Sequence, residues 1–232
     1  MKIPFSTVKR IHKEIRNELD IAYSNVIDRG WFIRGEECKK FEEEFASYIG
    51  NQYCVGVASG MDALSLILTV LGIGEGDEVI VPANTFIATA LAVSYTGAIP
   101  IFVEPNIRDF NINVKKIEDK ISKKTRAIIA VHLQGRAADM DMINKIARKY
   151  ELKVIEDAAQ AHGVRYKSHK VGTMSSAATL AVALRGAKKS KVLRDDMVDF
   201  GIPLFANIHL CGSVLTEVFF VMIVSKVLYN EL

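Results

Sequence analysis

The ten residues 154–163, VIEDAAQAHG, place an apolar run directly before a group of polar side chains. A buried strand with this sequence would present Asp157, Gln160 and His162 together at its carboxyl end. Wound α/β sheets bind their ligands outside the carboxyl ends of the strands. The stretch therefore indicates a binding site, although Asp157 taken singly also fits a structural role. For His162, a structural hydrogen bond explains the residue at least as well.

Other apolar runs are also followed by residues suited to binding. ASGMDAL follows the first predicted strand, and Gly60 lets the backbone approach a ligand closely just where a helix begins. The exposed amides at such a helix start suit phosphate, although an ordinary helix cap would look the same. The second predicted strand is followed by Phe86, which could equally be a core ring. The fourth predicted strand is followed by His132 and Gln134.

Three of these features together match the needs of one cofactor, pyridoxal phosphate. Its phosphate would take the helix amides after Gly60, and its ring would stack on Phe86. A carboxylate such as that of Asp157 keeps the pyridine nitrogen protonated, so that the ring can draw electrons from the substrate. The ordered set of three is more specific than any one of its members.

The elements that must position these residues alternate along the chain from about residue 53. Short β-branched runs and segments of helical period follow one another, which predicts an α/β protein with a sheet wound by crossover helices. The predicted strands are 53–57, 77–82, 99–103, 126–132 and 153–157. The predicted helices are 8–28, 37–49, 61–72, 85–97, 113–122 and 139–150. Asp139 is expected to be an N-cap, and Gly72 and Gly97 to lie at helix C-caps.

Composition limits the classes of protein that the chain can belong to. Its 232 residues, half of them hydrophobic, fit one large globular domain or one domain with an appendage. The net charge of +3 comes from basic residues interleaved with acids, so we expect no nucleic-acid partner. Three widely spaced cysteines suit neither a disulfide framework nor a metal site, and we expect reduced thiols and no metal.

From the sequence we expect neither an export signal nor a membrane-spanning segment. The residues after Met1 turn polar within a few positions, which predicts a cytoplasmic protein. The longest apolar stretch, VFFVMIV at 218–224, is too short to span a bilayer. It is predicted to form a buried strand or helix if this part of the chain folds, and no membrane partner is expected.

Several of these motifs in order resemble one enzyme family. The segments RGWFIRGEECKKFEEEFASYIG, CVGVASGMDALSLIL, GDEVIVPANTFIATALAVSYTGAIPIFVEP and VIEDAAQAHGVRYKSHKVGT are similar to the sugar-nucleotide aminotransferases of the DegT/StrS family. The similarity is greatest to members that aminate a keto-deoxysugar linked to dTDP. It covers about residues 3–176 and implies a fold-type I pyridoxal phosphate enzyme with a wound mixed sheet.

The resemblance implies roles for individual residues. Gly60 and Met61 match the backbone that receives the cofactor phosphate, and Phe86 matches the residue stacked on the pyridine ring. Asp157 matches the carboxylate paired with the ring nitrogen, and Gln160 matches the side chain near the phenolic oxygen. The family also implies a homodimer, a nucleotide-sugar substrate and an amino-acid donor, with glutamate the expected donor.

The resemblance weakens after residue 176, where the family has a phosphate-binding serine and a cofactor-linked lysine. An alignment without gaps places Ala181 and Gly186 there, and neither can do that chemistry. A shifted alignment brings Lys188 or Lys189 to the lysine position. We therefore expect a truncated chain that lacks the family's C-terminal small domain, with a shifted reading frame across about 177–224 as one explanation.

These observations predict three segments and one main function. The segments are an N-terminal helical part at 1–50, a partial cofactor-binding α/β domain at 51–176 and a divergent tail at 177–232. The leading interpretation is a sugar-nucleotide aminotransferase. The alternatives are a non-catalytic remnant that keeps part of the cofactor pocket and, with less support, a sugar dehydratase.

Overall fold

The computed structural model describes residues 7, 9–175, 177–183 and 218–224, the last two ranges by their backbone. Seven strands form the main sheet in the order β1-β9-β8-β5-β4-β2-β3. They are β1 (Tyr53–Val57), β2 (Glu78–Pro82), β3 (Ile99–Val103), β4 (Thr125–Val131), β5 (Lys153–Asp157), β8 (Ala177–Ala183) and β9 (Val218–Val224). A separate two-stranded hairpin consists of β6 (Arg165–Tyr166) and β7 (His169–Lys170).

The main sheet is mixed, as the sequence predicts. β9 runs antiparallel to both of its neighbours, β1 and β8, whereas the pairs β8/β5, β5/β4, β4/β2 and β2/β3 are parallel. β1 therefore points in the same direction as the parallel strands. The stretch 218–224, predicted as a strand or a helix, is a strand.

Six helices accompany the strands within the described residues. They are α1 (Lys9–Glu14), α2 (Arg16–Arg29), α3 (Glu36–Ile49), α4 (Gly60–Val70), α5 (Ile87–Tyr95) and α6 (Met140–Lys149). The predicted caps are confirmed, since the Asp139 carboxylate accepts a hydrogen bond from the Met142 amide at 3.3 Å. Gly72 and Gly97 both take positive φ values, 70° and 84°, just beyond their helices. None of the described helices is long and apolar enough to cross a membrane.

Two predicted helices differ from the structure. The helix predicted over 8–28 is interrupted at Ile15, whose φ of −108° and ψ of 17° separate α1 from α2. The helix predicted over 113–122 is instead a pair of short 3-10 helices, Val114–Lys116 and Glu118–Lys120. Val114 and Ile117 lie three residues apart, the spacing that a 3-10 turn places on one side. Ile117 is fully buried, so packing against the core outweighs the longer helix.

The sheet has a hydrophobic core on each side. Along β4, Ile129 packs with α4 and α5, whereas its neighbour Ile128 packs with α6 on the opposite side. The same alternation along β5 assigns Ile155 to the α4 and α5 side and Val154 to the α6 side. It also directs Glu156 and Asp157, the last two residues of β5, to opposite sides of the sheet.

A third core cluster joins α3 to the sheet. Phe45, Ala46 and Ile49 of α3 are buried against Cys54 of β1 and Ala158, which follows β5. The N-terminal part thus packs directly on the strands that lead to the candidate site. The division of the chain at residues 50 and 176 stays a prediction.

Candidate functional site

The carboxyl ends of β1, β2, β4 and β5 lie at one edge of the sheet because these strands point in the same direction. Each of the predicted residues at 60, 61, 86, 157 and 160 lies at or just after one of these ends. The structure therefore brings the five predicted binding residues to a common edge, which is where wound sheets bind ligands.

The start of α4 has amide groups available at this edge. Ser59 caps the helix, because its Oγ accepts a hydrogen bond from the Asp62 amide at 3.1 Å and its carbonyl accepts one from the Ala63 amide at 3.0 Å. Among the described residues, no group accepts a hydrogen bond from the amides of Gly60 or Met61. Two helix-start amides are thus left to bind an anion.

Phe86 and Asp157 are linked through Thr89. The Thr89 amide donates to the Phe86 carbonyl at 3.0 Å, and Thr89 Oγ1 donates to Asp157 Oδ2 at 3.4 Å. The other carboxylate oxygen, Asp157 Oδ1, accepts from the Ala159 amide at 3.2 Å. Asp157 is only 9% exposed, whereas Phe86 is 59% exposed. Thr89, one helical turn after the exposed Phe86, therefore also contacts the Asp157 carboxylate.

Gln160 holds the loop that follows β4. Its side-chain oxygen Oε1 accepts from the Gln134 amide at 3.0 Å, and its carbonyl accepts from the Gly135 amide at 3.0 Å. Gln134 takes a φ of 51°, in the left-handed region that a non-glycine residue rarely adopts. Because Oε1 is already used, the amide nitrogen Nε2 is the part of the Gln160 side chain left to contact a ligand.

Glu156 lies on the opposite side of the strand end, in a closed pocket of donors. Its Oε2 accepts from His132 Nε2 at 3.1 Å and from the Gly172 amide at 2.7 Å. Its Oε1 accepts from the Met174 amide at 2.7 Å and from the Ser175 hydroxyl at 2.8 Å. Burial by itself raises the pKa of Glu156, but the hydrogen bonds from His132, Gly172 and Ser175 outweigh it and lower the pKa below its usual value.

The tautomer of His132 follows from its two ring contacts. The Ala138 amide donates to His132 Nδ1 at 3.0 Å, so Nδ1 must carry a lone pair. Nε2 therefore carries the proton and donates it to Glu156. The His132 amide in turn donates to the Asp157 carbonyl at 2.9 Å. One residue thus contacts both of the acids at the end of β5.

His162 is the exception among these satisfied groups. Its Nε2 is buried and has no hydrogen-bond partner among the described residues. Burial lowers the pKa of His162 to about 4. The structural hydrogen bond considered for this residue is therefore not made by Nε2 within the described part of the chain.

Sequence reasoning missed two residues of this edge. Glu156 stands inside the apolar run of β5, and a buried acid must be paired, but its partners come from distant segments. Thr89 follows Phe86 by three positions, a helical spacing that could have drawn attention to it. Lys188 and Lys189, the candidates for the cofactor-linked lysine, lie outside the described residues.

A helix start with two amides that have no acceptor among the described residues, an exposed ring and a strand-end carboxylate on a mixed wound sheet are the features expected of the fold-type I class. The model of the DegT/DnrJ/EryC1/StrS aminotransferase family matches residues 13–182. The chain belongs to this family.

Individual relatives agree with this assignment. The chain is 52% identical over 176 residues to dTDP-3-amino-3,6-dideoxy-alpha-D-galactopyranose transaminase of Aneurinibacillus thermoaerophilus. The aligned residues cover 76% of this chain and 48% of the relative. The solved structure of DesV from S. venezuelae matches with 47% identity and a TM-score of 0.75, over 78% of this chain and 48% of that one.

A further solved structure contains a form of the cofactor. NtdA of Bacillus subtilis, with bound cofactor PMP, matches with 38% identity and a TM-score of 0.73, over 78% of this chain and 41% of that one. The chain spans about half the length of the curated relatives that it matches.

The last quarter of the chain is similar to a different family. The model of the sodium:dicarboxylate symporter family matches residues 170–232, overlapping the aminotransferase match at 170–182. The aminotransferase match ends at residue 182, within this second similarity. The shifted reading frame expected across 177–224 stays a prediction.

The residues of the edge fit pyridoxal phosphate in their chemistry. The amides of Gly60 and Met61 are donors for a phosphate, and the exposed ring of Phe86 offers a face for stacking. The Asp157 carboxylate is held by Thr89 and Ala159 at a site with little exposure to water. A carboxylate in this setting suits a protonated ring nitrogen.

Proposed function

We propose that this chain carries the cofactor-binding part of a sugar-nucleotide aminotransferase. It would transfer an amino group from an amino acid, with glutamate the expected donor, to a dTDP-linked keto-deoxysugar. The observation that carries the proposal is the common edge at which the Gly60 and Met61 amides, the Phe86 ring and the Asp157 carboxylate meet. The names of the relatives support the substrate class.

Each residue has a defined task in this proposal. The Gly60 and Met61 amides bind the cofactor phosphate, and the ring of Phe86 orients the cofactor plane. The Asp157 carboxylate would hold the ring nitrogen and favour its protonated form, and Gln160 Nε2 would be the donor to the phenolic oxygen. Pyridoxal phosphate, when bound, supplies an electron-withdrawing ring that accepts charge from the carbon losing its proton.

The proton transfers need a base that these residues do not supply. Asp157 is committed to the ring nitrogen, and His162, with its pKa lowered to about 4, is a weak base in a buried position. Lys188 or Lys189 is proposed for the covalent link to the cofactor and for moving the proton through its Nζ atom. Both belong to the segment that matches only the symporter family model.

The assembly and location follow the same proposal. We propose a cytoplasmic homodimer, with the loop at 29–35 near the substrate site of the neighbouring subunit. Trp31 and Phe32 of this loop are 58% and 56% exposed, which leaves both rings available for contact.

Borohydride trapping tests the function. Purified protein is mixed with pyridoxal phosphate, reduced and digested, and any pyridoxyl-lysine is located by peptide mass. The aminotransferase proposal predicts one modified peptide carrying Lys188 or Lys189, and amino transfer from glutamate to a dTDP-linked keto-deoxysugar.

The same experiment distinguishes the second candidate, a cofactor-binding remnant without catalysis. The symporter match across both lysines is the specific observation that favours it. Saturable binding of pyridoxal phosphate by folded protein, with no site-specific adduct and no turnover, would overturn the enzymatic proposal and support the remnant.

A further inference from the structure

The buried carboxylate of Glu156 accepts more hydrogen bonds than a single pairing of a buried acid would need. The side chain is fully buried, and each carboxylate oxygen accepts two hydrogen bonds. The donors come from three separate places: the end of β4, the turn at Gly172 and the residues that lead into β8. The carboxylate thus connects three segments that are distant in sequence to the end of β5.

The pocket accepts only a group with two acceptor oxygens. Ala138 fixes the His132 tautomer, so Nε2 can donate but cannot accept. The amides of Gly172 and Met174 are donors by nature, and they face different oxygens of Glu156. A carboxamide in place of the carboxylate must therefore direct its NH2 group at one of these amides, whichever way it turns.

His132 transmits the position of Glu156 to Asp157. Its ring donates to the Glu156 side chain, while its own amide donates to the Asp157 carbonyl. Asp157 is adjacent in the strand and projects from the other side of the sheet. A shift of Glu156 or of His132 therefore turns the strand end and, with it, the carboxylate at the ligand edge.

We propose that Glu156 is a positioning residue that fixes, through His132, the direction in which Asp157 presents its carboxylate to the ligand edge. The inference rests on the proposed function for the identity of that ligand, pyridoxal phosphate. Glu156 itself lies on the far side of the strand and would not touch the cofactor.

The Ala159 amide can be used to detect a change in the position of the Asp157 carboxylate, with no cofactor present. It donates to Asp157 Oδ1 at 3.2 Å, so its NMR shift and its hydrogen exchange depend on where that oxygen lies. A purely structural role for Glu156 would lower global stability without moving this amide in folded protein. The positioning role predicts that the amide moves under conditions where the protein stays folded.

The test compares Glu156→Gln with Glu43→Gln in the full chain. Glu43 is exposed on α3 and provides the same change of charge away from the edge. We expect Glu156→Gln to shift the Ala159 amide and speed its exchange. It should also weaken pyridoxal phosphate binding about tenfold in a fluorescence titration, since a buried donor left facing another donor is costly. Glu43→Gln should alter neither the Ala159 amide nor the cofactor affinity.

Nitrogen-15 NMR of His132 provides the third readout. In the wild type, Nδ1 should be unprotonated and Nε2 protonated, as the contacts to Ala138 and Glu156 require. The opposite tautomer would overturn the proposal. So would an unchanged Ala159 amide together with unchanged cofactor affinity in folded Glu156→Gln.

A milder variant decides the matter if Glu156→Gln does not fold. Ser175→Ala removes one donor and leaves the three others in place. The proposal predicts the same direction of change at Ala159 and about a threefold loss of affinity; no change in either would overturn it. If the wild type binds no pyridoxal phosphate, the proposed function fails, while the Ala159 amide and the His132 tautomer still decide the positioning role.

Discussion

The two sides of the β5 end differ in how their polar groups are satisfied. On the α6 side, Glu156 is fully buried and its carboxylate meets four donors. On the other side, Asp157 accepts a hydrogen bond from Thr89, which follows the exposed Phe86 by one helical turn. The helix-start amides of Gly60 and Met61 have no acceptor among the described residues. The comparison indicates that the two sides have different roles: one side fixes the strand end, and the other supplies groups for a ligand.

The largest effect on stability should come from removing the Glu156 carboxylate from its buried site. Glu156→Ala leaves buried donors without an acceptor and creates a cavity, so we expect the free energy of unfolding to fall by about 3 kcal/mol or more. Urea denaturation measures it. Asp157→Ala, on the open side, should lose less than half as much, and equal losses would break the comparison.

The buried His162, whose Nε2 has no hydrogen-bond partner among the described residues, should make stability depend on pH. Its pKa is lowered to about 4, below the unfolded value near 6.5, so the unfolded chain binds more protons between these values. Stability is therefore fully present above about pH 6.5 and is lost as the pH falls toward 4.

The His162 contribution can be isolated with one variant. Between pH 7 and pH 5, we expect the wild type to lose about 2 kcal/mol more than His162→Phe, measured by denaturation at each pH. Identical pH profiles for the two proteins would show that the imidazole is solvated or paired in solution.

A smaller effect on stability, with a clear effect on binding, is expected for Asp157→Asn. The amide oxygen can still accept from the Ala159 amide, so unfolding should change by less than about 1 kcal/mol. Pyridoxal phosphate affinity should fall about tenfold, because a neutral group no longer favours the protonated ring nitrogen. A large loss of stability with unaltered affinity would reverse the roles assigned to the two acids.

The smallest effect is expected for Thr89→Val. The bond from Thr89 Oγ1 to Asp157 Oδ2 is long, at 3.4 Å, and the substitution keeps the shape of the side chain. We expect a change of about 0.5 kcal/mol in unfolding free energy and a twofold to threefold loss of cofactor affinity. The comparison with Asp157→Asn measures how much of the carboxylate's effect depends on its orientation.

The fold could be predicted from the sequence where burial determines it. β1, β3 and β5 match the predicted bounds, because short β-branched runs between helical segments are compatible only with buried strands of a wound sheet. The segment at 113–122 could not be predicted, since the choice between an α-helix and two 3-10 turns depends on the core around Ile117.

The site could be predicted in part for a similar reason. The common location of Gly60, Phe86, Asp157 and Gln160 could be predicted because strand ends are visible in sequence and share one edge in a parallel sheet. Their roles in binding stay predictions. The pairing of Glu156 with His132 was not visible, because it depends on the register between β4 and β5 and on the turn at 172. The roles of Lys188 and Lys189 stay predictions.

One titration tests the central claim that the edge at the ends of β1, β2 and β5 binds pyridoxal phosphate. Folded protein is titrated with the cofactor and followed by fluorescence, with Asp157→Asn measured in parallel. The account predicts saturable binding at one site per chain, weakened about tenfold by the substitution. Absence of saturable binding in folded protein, or equal affinity in both proteins, would contradict it.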